Sequence, residues 1–188
     1  MPKTMSHILG LCEYYMPIFE ETFKDVDIFQ DNITIFRNKF VSPISTIGLS
    51  FYKYYLMDTV EIDGVRCTDL AFTPHNPESM GFSGHLYVAT DSTYFVKLAQ
   101  MNVPKDINLN YIQYMNITLD FDRLEDGTRI LNNESLVTEF QIVNAVNGIY
   151  AHRQVDYRNH TFEESQTATE ILNKKSLVVE EEEATNRD

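Results

Sequence analysis

The chain has no tryptophan, only two cysteines and seven glycines among 188 residues, and its 28 acidic residues outnumber 15 basic ones. The scarcity of clustered lysine and arginine excludes a nucleic-acid-binding surface, because phosphate contacts require basic side chains. No run of about 18 uncharged apolar residues is present, so no segment is typical of a membrane-spanning helix. The few glycines are scattered at turns, which excludes a glycine-rich phosphate-binding loop.

The two cysteines, Cys12 and Cys67, are interpreted as separate buried thiols, with a disulfide in an oxidising compartment as the alternative. Two cysteines alone do not make a structural zinc site, and no cofactor is expected. The first residues do not form a convincing signal peptide, because Glu13 interrupts a short apolar patch and no cleavage site follows. This leaves a cytoplasmic protein, or a chain whose natural N-terminus lies further upstream.

Apolar residues make up 43% of the chain and aromatic residues 12%, which is enough for one folded domain. Three segments are predicted. Apolar residues recur at three- and four-residue steps in residues 1–24, which predicts an N-terminal amphipathic helix. Residues 25–162 are predicted to form a curved antiparallel β domain, and residues 163–188 a polar, acidic tail.

From Phe51 onwards, short segments rich in β-branched and aromatic residues alternate with turn signals. The strongest of these signals are Asp63-Gly64 and Asn147-Gly148, which favour tight hairpins. Apolar and polar residues alternate strictly over residues 115–122, which predicts a strand with one buried face. About seven such strands in sequence predict a meander. The predicted fold class is therefore α+β, with a curved, half-barrel-like antiparallel sheet and the N-terminal helix packed against it.

No residue pattern points to catalysis, and none is typical of a metal site. Gly81-Phe82-Ser83-Gly84 only distantly resembles a nucleophile elbow and is interpreted as a loop entering a strand. Asp120 and Asp122 share a strand face about 7 Å apart, close enough for an acid–base pair, but acidic residues on the solvent side of a strand are ordinary and the pair is interpreted as part of a solvated face. His152 and His160 are interpreted as polar surface residues. The sequence therefore predicts a protein that is not an enzyme.

The string Phe51-Tyr-Lys-Tyr-Tyr55 is apolar on both faces of its strand. It is interpreted either as a strand covered on both sides or as the wall of an apolar groove, for which tyrosine is well suited. The predicted lining of such a groove consists of Tyr52, Tyr54, Leu56, Leu86, Val88, Met115, Ile117 and Leu119.

Several strings, in order along the chain, resemble one family: FVSPIS (40–45), FYKYYLMDT (51–59), LAFTPHNPESMGFSGHLYV (70–88), INLNYIQYMNITLDFDR (107–123) and GIYAHRQVDYRNHTF (148–162). They resemble the middle domain of a family of outer-membrane proteins of Bacteroidota, of unknown function. In that family, a signal peptide and a carboxypeptidase-regulatory-like domain come first, and a C-terminal β-barrel follows. The chain lacks these parts, and the resemblance therefore implies a fragment of a longer protein.

The resemblance implies a location on the periplasmic side of the outer membrane. It implies a protein or lipid partner in the cell envelope, together with the missing β-barrel, and no catalytic residues. The strand, proline loop and strand pattern is also similar to the periplasmic lipoprotein-carrier fold, in which a curled sheet holds lipid chains. The first hypothesis is a non-enzymatic partner-binding or envelope-assembly module. The alternative is a binder of a lipid or lipoprotein acyl chain in the sheet concavity, and a hydrolase is the least favoured.

Overall fold

The structure is a computed structural model that describes residues 24–160, apart from 36–37, 105–106, 108, 110–111, 141–148 and 159. Strands account for 62% of this described part and helix for about 3%. The chain divides into two compact units, residues 1–158 and 159–188. Within the described part, no helix has the length and apolar character needed to cross a membrane.

Two antiparallel sheets follow one another along the chain. Strands β1 (Asn32–Ile35) and β2 (Asn38–Val41) form a small hairpin, and a single helical turn, α1 (Gly48–Phe51), precedes the large sheet. The large sheet has seven strands in sequential order, each antiparallel to the next. They are β3 (Tyr52–Ile62), β4 (Val65–Pro74), β5 (Ser83–Ala89), β6 (Val96–Asn102), β7 (Ile112–Arg123), β8 (Arg129–Phe140) and β9 (Ile149–Asp156).

The turn between β3 and β4 forms where the sequence predicts it. Asp63 and Gly64 both have positive φ angles, of 49° and 77°. Two successive positive φ angles are the geometry of the tight hairpin turn that an Asp-Gly pair favours. The second predicted hairpin signal, Asn147-Gly148, lies outside the described residues.

The pairing register gives the large sheet one apolar and one polar face. On the face here called the core face, one row crosses six strands and consists of Leu56, Leu70, Leu86, Ala99, Leu119 and Glu134. On the opposite face, here called the polar face, the neighbouring row across the strands consists of Asp69, Tyr87, Leu98, Asp120 and Asn133. The alternation along β7 is as predicted, because Met115, Ile117 and Leu119 are buried on the core face.

The predicted α+β fold class is wrong. The described structure is almost entirely β, and the predicted helix at residues 1–24 lies, except for Lys24, outside the described residues. Residues 25–43, apart from 36–37, are here called the covering segment, and they cover the core face in its place. Their side chains Ile28, Ile33, Ile35 and Phe40 are buried in the same cluster as the sheet residues. The Phe40 ring lies 5.1 Å from that of Phe82. A short hairpin supplies this cover because alternate residues of an extended strand point to one face.

Candidate functional site

The register brings all eight residues of the predicted apolar groove to the core face of the sheet. Their side chains, however, differ in exposure. Five are buried in the core cluster: Tyr52, Leu86, Met115, Ile117 and Leu119. Tyr54 and Val88 are partly buried against this cluster, whereas Leu56 is 79% exposed. The core face therefore forms a packed interior beneath the covering segment, and this favours the covered-strand interpretation of Tyr52 and Tyr54.

Two tyrosines fasten the covering segment to β3. The Tyr52 hydroxyl donates a hydrogen bond to the backbone carbonyl of Val41 and accepts one, at 3.0 Å, from the backbone N–H of Phe82. The Tyr54 hydroxyl donates to the backbone carbonyl of Pro43 at 2.6 Å. Each phenol thus packs its ring in or against the core and hydrogen-bonds its hydroxyl to the backbone, a dual role to which tyrosine is suited. Sequence reasoning identified the apolar role of these tyrosines but not their hydrogen-bond partners.

Replacing Tyr52 with phenylalanine should lower the free energy of unfolding by about 1–3 kcal/mol at neutral pH, because it leaves the Phe82 N–H without an acceptor. Burial raises the pKa of Tyr52 above its ordinary value of 10.0. A group whose pKa is higher in the folded than in the unfolded state contributes its full stabilisation of the fold at pH values below the unfolded-state pKa. This contribution is lost as the pH rises from the unfolded-state pKa towards the folded-state pKa. The wild-type protein should therefore lose stability more steeply above about pH 10 than the variant does.

Urea denaturation at several pH values tests this expectation. The matched control is Tyr55→Phe, which changes an exposed tyrosine of the same strand and should leave the free energy of unfolding at neutral pH unchanged. Equal alkaline slopes for the Tyr52→Phe variant and the wild type would contradict the assigned role of Tyr52.

Strand β3 forms one edge of the large sheet, and its middle is exposed. Among the described residues it pairs only with β4. The register shifts between Leu56 and Thr59, where a bulge interrupts the ladder. Tyr55, Leu56 and Met57, which precede and enter this bulge, are all more than half exposed. We call these three residues the edge patch.

The predicted carboxylate pair, Asp120 and Asp122, lies on the polar face and converges on one lysine. Lys97 Nζ donates to Asp120 Oδ1 at 2.8 Å and to Asp122 Oδ1 at 2.7 Å, and it lies 3.2 Å from Asp63 Oδ2. Lys97 reaches this face because a bulge between Tyr87 and Val88 shifts the register of β6. The charge of the lysine offsets part of the charge of the pair, so the two aspartates belong to an ion-pair network.

Lys97 is 1% exposed although it carries a charge. Burial lowers its pKa, but the hydrogen bonds that it donates to Asp120, Asp122 and Asp63 outweigh burial and hold the pKa above its ordinary value. Sequence reasoning missed Lys97 because strict alternation places it on the core face, and only the bulge moves it. In the described part of the chain, no group of three or more potential metal-binding side chains is arranged to hold a metal ion.

A second ion pair is buried on the core face. Glu134 is fully buried, and its Oε1 accepts a hydrogen bond from Arg153 Nη1 at 2.8 Å. Arg153 Nη2 donates to Asp25 Oδ1 at 2.7 Å, and the Tyr157 hydroxyl donates to Glu134 Oε2 at 3.3 Å. This cluster ties the beginning of the covering segment to β8 and β9. The two-residue spacing of Glu134 and Leu136 places both on one face of β8, but the local sequence does not identify the cation that allows Glu134 to be buried there.

The two predicted histidines belong to different compact units. The side chain of Ser135 lies 3.1 Å from His152 Nε2 in the first unit, whereas His160 is an exposed residue of the second. Phe82 is buried, which agrees with a loop that enters β5. Cys67 is a free, buried thiol whose pKa burial raises, and Cys12 lies outside the described residues.

His85, on the polar face, has a carboxylate partner that the sequence did not predict. Its Nδ1 lies 2.7 Å from Asp69 Oδ1, and its ring is stacked near the Tyr87 ring, with 6.1 Å between centroids and 17° between planes. Burial, followed by the nearby Asp69 charge, raises the pKa of Tyr87. The sequence signal for this cluster was the alternation of His85 and Tyr87 along one strand.

Comparison with protein families finds one match. The model of a family of unknown function, DUF5686, matches residues 17–158, which is most of the chain and includes all nine strands of its described part. Neither the curated proteins nor the solved structures yield a match. Function must therefore be inferred from the geometry of the described residues.

Proposed function

We propose that this chain, which belongs to the DUF5686 family of unknown function, is a non-enzymatic, partner-binding module of an outer-membrane protein, on the periplasmic side. The observation that carries this proposal is the edge of β3, which pairs with β4 alone within the described part of the chain. A long edge strand offers unpaired backbone N–H and C=O groups, and a chain in an extended conformation can add to it as a further strand.

The edge patch supports recognition by such a strand. Its side chains lie on both faces of the sheet: Leu56 is on the core face and Tyr55 is on the polar face. A partner strand with apolar side chains would bury these residues on both sides. Exposed apolar side chains on a long edge strand favour aggregation unless they are used for binding, and this supports a binding role.

Charge indicates the chemistry of the partner strand. Asp58 and Glu61 are exposed in the second half of β3, and the chain as a whole has a net charge of −13. The partner would place a lysine or arginine next to the apolar residues that face the edge patch. This basic side chain would pair with Asp58 and Glu61 and increase the rate of association. The proposed occupant is thus an extended segment of another envelope protein, apolar in one half and basic in the other.

The packed core face makes the apolar-ligand hypothesis the weaker of the two. Tyr52, Leu86 and Ile117, three of the proposed lining residues, are buried within the core cluster. An acyl chain would have to displace the covering segment and its hydrogen bonds to Tyr52 and Tyr54. No arrangement of the described residues supports the hydrolase hypothesis, since Lys97 engages the aspartate pair.

A photo-crosslinking residue at position 56 tests the proposal in the cell envelope of the native organism. The crosslinked partner peptide should contain an apolar segment adjacent to lysine or arginine, and the variant Met57→Lys should reduce its yield by about tenfold. The matched control carries the crosslinker at Tyr150, an exposed aromatic on the opposite edge strand, β9. The proposal would be overturned by equal crosslinking from positions 56 and 150. It would also be overturned if native mass spectrometry detects bound lipid and Met57→Lys leaves the crosslinking yield unchanged.

A further inference from the structure

The centre of the polar face is lined by amide, hydroxyl and ring side chains, although the chain as a whole is strongly acidic. Six side chains from neighbouring strands form a continuous surface here, which we call the polar patch: His85, Tyr87, Gln100, Asn102, Asn116 and Thr118. We propose that the polar patch is a binding site for a neutral oligosaccharide. This site is separate from the edge patch and does not depend on the function proposed above.

The polar patch is continuous because its residues lie opposite one another in the ladder. His85 pairs with Gln100, and Gln100 pairs with Thr118. Asn102 pairs with Asn116 in the adjacent row. With strands about 4.8 Å apart, three strands place these groups over roughly 10 Å, which matches two linked sugar rings.

Hydrogen bonds hold the polar side chains of the patch in place. Asn116 Nδ2 donates to Asn102 Oδ1 at 2.8 Å, and the Thr118 hydroxyl donates to Asn116 Oδ1 at 3.3 Å. Asp69 holds the His85 ring through Nδ1, which leaves Nε2 as the ring nitrogen able to meet a ligand. Side chains ordered before binding lose less entropy on binding, so they favour the weak, multiple hydrogen bonds that sugar hydroxyls form.

The patch also contains aromatic rings, which suit the apolar C–H faces of a sugar. Tyr87 and His85 are nearly parallel, and both are partly exposed. The Tyr87 hydroxyl lies 3.5 Å from Gln100 Oε1, which places a phenol beside an amide at the centre of the patch. A combination of aromatic surface with amide and hydroxyl groups is what an amphipathic, hydroxyl-rich ligand requires.

Charge complementarity favours a neutral ligand. The two carboxylates that border the patch already have partners, because Asp69 contacts His85 and Asp120 contacts Lys97. The remaining groups are uncharged donors and acceptors. An anionic ligand would meet repulsion from the acidic protein, and a cationic one would have to compete with the existing partners.

Nuclear magnetic resonance titration of the isotope-labelled full chain tests this inference. The probes are soluble maltose-derived, cellulose-derived and chitin-derived oligosaccharides at millimolar concentrations. At least one should shift the amide signals of β5, β6 and β7, and Gln100→Ala should weaken its binding by about tenfold. Thr118→Val, which removes a hydroxyl but retains the shape of the side chain, is a second variant in case Gln100→Ala does not fold.

The matched control is Tyr150→Ala, which removes an exposed aromatic ring outside the patch and should leave binding unchanged. The inference is overturned if none of the probes shifts the signals of these strands, or if the control weakens binding as much as the patch variants do. Since these readouts do not involve β3, failure here leaves the partner-binding proposal standing.

Discussion

Replacing Gly84 with alanine should lower the free energy of unfolding by about 3 kcal/mol or more, or prevent folding altogether. A Cβ at this position would lie 1.9 Å from the backbone oxygen of Gln100 on the neighbouring strand. Backbone atoms of a paired strand cannot rotate away as a side chain can, so the ladder between β5 and β6 would have to separate. Urea denaturation, followed by circular dichroism, measures the loss.

Gly64→Ala is the matched control for this prediction. Gly64 has a φ of +77°, but no heavy atom lies within 4 Å of the point that a Cβ would occupy there. The substitution should cost only the strain of a left-handed backbone, about 1 kcal/mol. Comparable losses for the two variants would show that close approach of the β5 and β6 backbones does not limit stability at Gly84.

Replacing Arg153 with methionine should lower the free energy of unfolding by about 3–5 kcal/mol. The change leaves Glu134, which has 0% exposure, without its cation on the core face. The Tyr157 hydroxyl, at 3.3 Å, is the one remaining hydrogen-bond donor to the Glu134 side chain among the described contacts. The change also removes the contact that holds Asp25 at the start of the covering segment.

A double variant separates the buried charge from simple loss of packing. In Glu134→Leu with Arg153→Met, neither charge remains, and stability should recover most of the loss, because apolar residues of similar size often replace a buried ion pair at little cost. Asp25→Asn removes only the exposed partner and should cost less than about 1 kcal/mol. Similar losses in the single and double variants would show that Glu134 is not the cause.

Short-range patterns in the sequence predicted the strands well. Met115 to Asp122 alternates between apolar and polar residues, and Asp63-Gly64 marks a hairpin; both depend on neighbouring residues alone. The resulting seven-stranded meander is confirmed, whereas the α+β class is not. The prediction assigned the cover of the core face to a helix, but the described structure shows the covering segment there, and its place depends on distant contacts that its weak local pattern does not encode.

The predicted groove shows the same division between local and distant effects. Period-two alternation correctly placed Tyr52, Leu86 and Ile117 on one face of the sheet. Whether that face is open or covered depends on the covering segment, whose backbone is bound by tyrosine hydroxyls from β3. Leu56 is on the correct face but exposed, because it lies on an edge strand beside a bulge.

The sequence by itself determined the strand periodicity, the hairpin at Asp63-Gly64, the acidic balance and, through matching strings, membership of a family of unknown function. Only the tertiary structure decided which polar residues are buried. Lys97 and Glu134 look like surface residues in the sequence, yet both are enclosed. The physical reason is that burial of a charge depends on a partner from a distant strand, and bulges and register, which local patterns do not encode, bring those partners together.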